Sequence, residues 1–519
     1  MQIYKLFVAI IISNLILFTP KISFAKNILL IPLDSRPPCT DFVEDLASIS
    51  NYKLILPPKK FLDYFTLPGE IDNLRRWLIN EVETEEIDAI ILSIDQITSG
   101  GLIASREKNL SKEDIESLNN FLIDFREKFS NVPIYAFNIL PRMNPPASID
   151  NFFQRRALMA LSRLIGRSHS GLIVDDESLF EVYSEITPDN LNRYLNIFKM
   201  NRQLSERLID LTNKKIIDKI IFGMDDAEKF SIQNVLVDEL KNYSDRNDKI
   251  IFTHGADEIA LTLIAEIVEK DFNYTPKIFI QYNEVETAKK IMPYMSATID
   301  EVVREKIFQL HGEIVNDQNN ADFILFVAVD DTNSVDVIKN LIESQKKIAL
   351  VDLSTHFTKS EILLPKLIAA EIPINSLIAY SGWNTASNSI GTALSQAIIF
   401  QASNENFIEN LRFLNQRFIE DYIYLKDVID GVNIALKKSG SYDTSFLDYG
   451  TEYEFATFVM RTLMTKKIFD FKNSNAFKQP IKINNKRIRL KNFSTEMKYF
   501  WPRTFEIKLK IDNLICDFD

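Results

Sequence analysis

With 519 residues, the chain exceeds what one hydrophobic core ordinarily organises, so two or three structural units are expected. An apolar fraction of 46% beside 25% charged residues excludes a disordered or fibrous chain. A net charge of −12 argues against a general phosphate-backbone binder, and no nucleic-acid partner is expected.

At the start, Lys5 precedes the apolar run LFVAIIISNLILF, and SFA at 23–25 offers a small residue before a cut. This predicts a signal peptide over 1–25 and an exported chain, extracellular, periplasmic or associated with the cell envelope. An uncleaved membrane anchor is the competing reading of the same run. Cys39 and Cys516 permit a disulfide without indicating one, and they cannot alone form a structural zinc set.

Short β-branched runs then alternate with helical segments, the pattern of parallel sheets covered by helices. Strands are predicted at 27–33, 52–57, 89–94, 132–139, 219–224, 249–254, 277–282, 322–329, 347–353 and 376–382. Helices fit between them at IDNLRRWLIN, IESLNNFLIDFREKF and PKLIAAEI, and Thr385 or Ser387 is placed to cap another whose apolar face holds Ile390, Leu394 and Ile398. The fold class is therefore α/β with multiple Rossmann-like parallel-sheet units, a distorted TIM-like barrel being the alternative. A first unit is expected over 26–215, a second over 216–400, a mainly helical section over 401–465 and a small β-rich section over 466–519. Within the last, IKINNKRIRLK interleaves charged and apolar residues as the solvated face of a strand or hairpin does.

Apolar runs in this chain repeatedly end in polar clusters, and strand ends are where open sheets and barrels hold ligands. PLDSRPPC presents Asp34 and Arg36 on a turn stiffened by Pro37 and Pro38, either as a mutual ion pair or as ligand contacts. SIDQITSGGLIASR supplies Asp95 and Arg106 around Gly100 and Gly101, without the lysine or glycine spacing of a nucleotide loop. Arg142, in PRMNPP, is suited to orient an anion or to tie its turn to an acidic loop. GMDDAEKF and THGADEIA add Asp225, Asp226, Asp257 and Glu258. Carboxylates on separate loops can divide acid and base roles, which makes Asp95, Asp225 and Asp257 the catalytic candidates. Asp34, Arg36, Arg106, Arg142, Asp226, Glu258, Trp383 and Asn384 are the substrate-binding candidates. Trp383 offers a platform to a sugar ring or, alternatively, packs in the core, while Asn384 offers hydrogen bonds.

The stretches PLDSRPPCTDF, LPP at 56–58, SIDQITSGGLIASR, GMDDA, GADE and AYSGWNTASNSIGTALSQA occur in an order that resembles the bacterial DUF4127 family. The resemblance runs from about residue 27 to about residue 510 and implies no reaction. From the residues themselves, the expected function is hydrolysis of a polar or carbohydrate-like substrate, a small molecule or glycan. A ligand-binding protein without turnover and a structural or interaction protein are the alternatives. No cofactor is predicted. Only four histidines occur, without a paired-histidine motif, so zinc is disfavoured and calcium or magnesium stays open.

Overall fold

The computed structural model describes residues 26–245, 247–355, 362–403, 406–483 and 486–518. The expected signal peptide, and His356 with its loop, lie outside the described residues.

Strands β1 (Asn27–Ile31), β2 (Lys53–Ile55), β3 (Ala89–Ser93), β4 (Ile134–Leu140), β5 (Lys219–Met224) and β6 (Ile250–His254) pair in parallel. Their order is β2-β1-β3-β4-β5-β6. β1, β3, β4 and β5 are almost wholly buried, which is why they read as continuous apolar runs rather than alternating ones. The expected boundary at residue 215 therefore falls inside this sheet. The long helix Pro188–Asn213 ends there, but β5 returns to pair with β4 and the sheet continues to β6.

A second parallel sheet holds β7 (Lys277–Tyr282), β8 (Glu313–Ile314), β9 (Phe323–Ala328), β10 (Ile348–Asp352) and β11 (Ala379–Ser381), in the order β11-β10-β9-β7-β8. Counted from its own first strand, this is the order 2-1-3-4-5, which the first sheet also follows before adding a sixth strand. Both sheets stay open, and neither closes into a barrel. In such doubly wound sheets the crevice for a ligand opens at the carboxyl ends of the two strands where the order reverses, here β1 with β3 and β7 with β9.

The units meet through two helices. Ile259–Phe272 follows β6, Ala386–Ala402 follows β11, and the two pack on each other. Nearly every residue of both is buried, as expected of helices apolar or small on all sides. Thr385 caps the second by accepting a bond from the Asn388 N–H.

Beyond them, the helices Phe407–Arg417, Ile429–Lys438 and Glu452–Asn473 pack on the second sheet, with a π-helical stretch Phe418–Val428 linking the first two. Helix persists to Lys478, past the expected limit at 465. An antiparallel sheet of β12 (Ile481–Ile483), β13 (Lys486–Tyr499) and β14 (Ile507–Phe518) follows. In β13, Ile488 and Leu490 face inward while Arg487, Arg489 and Lys491 are exposed, the solvated face that the alternation predicts.

Candidate functional site

The loops after β1, β3, β4, β5 and β6 bring most of the expected polar residues together. The turn after β1 directs Arg36 back over Asp34: Arg36 Nε and Nη2 donate to Asp34 Oδ2 at 2.9 and 2.6 Å. The same guanidinium crosses to the loop after β6, where Nη2 donates to Asp257 Oδ1 at 2.6 Å. All three residues are buried, so this is one closed ion cluster that joins the switch point to the far edge of the sheet. From the second unit, Asn384 and Asn388 each donate through Nδ2 to Asp257 Oδ2, at 3.2 and 3.3 Å. Asn384 is exposed and holds φ at +52°, a left-handed position that asparagine accepts more readily than most residues.

A second group stands beside this cluster and is only partly covered. Arg106 donates to Asp225, and Arg142 Nη1 donates to Asp226 Oδ2 at 2.8 Å. Gln233 Nε2 donates to both Pro141 O and Asp225 O at 3.1 Å, which ties the loops after β4 and β5 together. Asp226 sits at φ +43°, a left-handed conformation held by these bonds.

The carboxylates are pulled in opposite directions. Burial raises Asp257 to about 6, against the opposing pull of Arg36 and with reinforcement from Asp34 and Asp225. For Asp225, Arg106 and Arg142 overcome the cost of burial and hold it below its ordinary range. Burial and the adjacent Asp225 raise Asp226. Asp95 is raised to about 6 by burial, partly offset by the Ile139 N–H, which donates to its Oδ2 at 2.8 Å. That bond fixes Asp95 beneath the site as a brace between β3 and β4.

Two substrate-binding candidates fall elsewhere. Glu258 is fully enclosed: it pairs with the equally buried Lys306 at 2.7 Å and is pressed between Gly255 and Gly391, where an added Cβ would lie 2.0 and 2.5 Å from it. Trp383 is 4% exposed, donates to Thr392 Oγ1 at 3.2 Å and meets the Phe42 ring edge-on at 5.6 Å. It packs the seam between the units, the core alternative of the sequence reading, and offers no ring face to a ligand.

Two participants, Asp63 and Trp501, escape sequence reasoning. Asp63 accepts the Ser35 N–H at 2.8 Å, keeps a buried oxygen without a partner, and is raised by burial and by Asp34. Its only sequence signal is an acid after a three-residue strand. Trp501, from the turn between β13 and β14, lays its ring 5.4 Å from the Arg36 guanidinium and donates to Ser35 Oγ at 3.2 Å. Asn388, which the sequence pairs with Asn384 as a hydrogen-bonding residue of this loop, is the second donor to Asp257.

Among the described residues, Asp34, Cys39 and Asp257 form a donor set for a cation, with ligand atoms within 4.8 Å of one another. Arg36 already fills that space with positive charge, 2.6 Å from both carboxylates, and burial with Asp34 and Asp257 raises the Cys39 thiol. The residues present thus fit a guanidinium rather than a divalent ion. At the second sheet, the corresponding groups are engaged internally: Asp330 with Asn283, and Asp352 with Tyr380 and Lys426.

Fold and site together define an α/β protein of two parallel sheets and a small antiparallel one, with a carboxylate and guanidinium cluster at the strand ends of its first sheet. The chain belongs to the family described as "Protein of unknown function (DUF4127)", whose model matches residues 28–510. No curated protein and no solved structure matched the chain.

Proposed function

We propose that the protein is an exported hydrolase acting on a polar, carbohydrate-like substrate, with Asp257 as the proton donor and Asp225 as its ionised partner. The observation that carries this reading is the divergence of the two: neighbouring acids on the loops after β5 and β6, one raised to about 6 and the other lowered. Environments that separate two carboxylates in this way assign acid and base roles. A raised acid can protonate a leaving oxygen, while an ionised carboxylate can activate water or attack carbon. Asn384 and Asn388 orient Asp257 from the second unit, so the reaction centre spans the seam. Export is supported by the leading apolar run; among the described residues no helix is long and apolar enough to cross a membrane.

The test is turnover of a glycan and cell-wall fragment panel by the wild type, Asp225→Asn and Asp257→Asn. Each substitution is expected to lower kcat by on the order of a hundredfold or more, the scale of a lost general acid or base. The wild-type rate should fall as pH rises through about 6, where Asp257 gives up its proton. Undiminished turnover by both folded variants would remove the assignment. Because Asp257 is gripped across the seam, the same geometry would also serve a ligand-binding protein, and retention of ligand without product over a time course would select that reading.

A further inference from the structure

Three guanidiniums converge at the strand ends of a chain whose net charge is −12. Arg36 is consumed by Asp34 and Asp257. Arg106 and Arg142 are different, because their side chains keep 22% and 26% exposure and each is anchored by a single carboxylate. A guanidinium carries five N–H donors in a fixed fork. In both residues the terminal nitrogens supply the one carboxylate bond, and among the described residues the buried Nε–H has no acceptor, so the exposed edge of each fork is left for an incoming anion. The Gln233 clamp on the two loops sets this pair in place ahead of any ligand. Burial and the neighbouring positive charge of Arg106 also lower the proton affinity of Arg142, the direction an anion between them would reverse.

We infer that Arg106 and Arg142 form an oxyanion subsite, so that the substrate is an acidic sugar carrying a carboxylate or a phosphate close to the bond that reacts. This deepens the hydrolase reading and rests on it for the reaction, but not for recognition of the anion. Two forked donors beside an ionised Asp225 suit a planar or tetrahedral oxyanion, for which bidentate guanidinium contacts supply both strength and orientation. Asp225 and Asp226 supply the negative rim that keeps the unliganded pair together, and they place the anion next to the reacting carboxylates.

Titration calorimetry of the full chain with D-glucuronate, glucose 6-phosphate and glucose tests this directly. At least one anionic sugar is expected to bind on the order of tenfold or more tightly than glucose. That preference should weaken with added salt. Whichever of the two anions wins identifies the charged group. Arg106→Gln and Arg142→Gln should abolish the preference, Arg142→Lys should keep part of it, and Asp257→Asn should keep it while losing turnover; thermal melts establish that each variant is folded. Equal affinity for all three sugars, no binding of either anion, or an unchanged preference in both folded glutamine variants would overturn the subsite. Turnover of neutral glycans without anion preference would sink this inference and leave the hydrolase standing; anion binding without turnover of acidic glycans would do the reverse.

Discussion

Asp95 shows how a buried acid can resemble a catalyst in sequence and serve as a brace in structure. Its carboxyl is raised from 3.8 to about 6 because burial penalises the charge more than the Ile139 N–H rewards it. The folded state thus binds the proton more tightly than the unfolded one. The resulting stabilisation is complete below pH ~4 and is lost as pH rises through about 6. A shift of that size corresponds to about 3 kcal/mol. Asparagine keeps an acceptor for Ile139 and cannot ionise, so Asp95→Asn should flatten the stability curve over that interval and exceed the wild type at neutral pH by up to this amount. Denaturant midpoints measured from acid to neutral pH decide it; a constant gap between the two proteins would refute the account. The sequence made the strand-end acids legible as a set, because each follows an apolar run. It could not sort them, since the sorting depends on which donor arrives from another segment: the Arg106 guanidinium for Asp225, the Arg36 guanidinium for Asp257, and the Ile139 N–H for Asp95.

The helix Ala386–Ala402 joins the two units by packing on Ile259–Phe272. Its capping by Thr385 and the burial of Ile390, Leu394 and Ile398 were legible, because both are local properties of period and side-chain chemistry. Its small residues gain meaning only from the facing helix. A Cβ on Gly391 would lie 2.5 Å from Glu258 Cγ, within a fully buried ion pair that has no room to yield. Gly391→Ala should therefore destabilise the protein by about 1–3 kcal/mol or more, as overpacking does. Gly431 is the control: its Cβ would meet only the end of Leu463, at 3.0 Å, and alanine suits a helix better by about 1 kcal/mol. Equal midpoints for the two variants in urea would show that the seam is looser than described. The core seat of Trp383 and the return of β5 to β4 past residue 215 share one physical cause with the tight fit at Gly391. Phe42 and β4 are distant in sequence from the residues they enclose, and a periodicity argument does not reach across that distance.

The whole molecule closes its site with its last section. β13 and β14 read as a hairpin, but nothing in their alternation announces that the turn between them folds back onto the first sheet. Trp501 bonds Ser35 across 466 residues, stacks over Arg36 and is 1% exposed. Phe65 braces it at 5.6 Å from a left-handed backbone position, φ +55°, that a bulky residue rarely accepts, and Phe446 lies 5.9 Å beyond. These contacts tie the hairpin tip to the turn after β1, where the guanidinium that joins Asp34 to Asp257 lies against the terminal ring. Trp501→Ala should cost about 3–5 kcal/mol, the range for emptying a buried aromatic site. The loss should also spread: amide hydrogen exchange should accelerate in the turn after β1 and in the loop after β6 as well as in the hairpin tip, since all three share Arg36. Trp501→Phe, which keeps a ring over the guanidinium and loses only the bond to Ser35, should fall between the alanine variant and the wild type. Faster exchange confined to the hairpin would mean that the terminal section rests on the site without holding it. Spread to Asp257 would make the section part of the reaction centre's support, reached by its tip while its strands pack on the helices of the second unit.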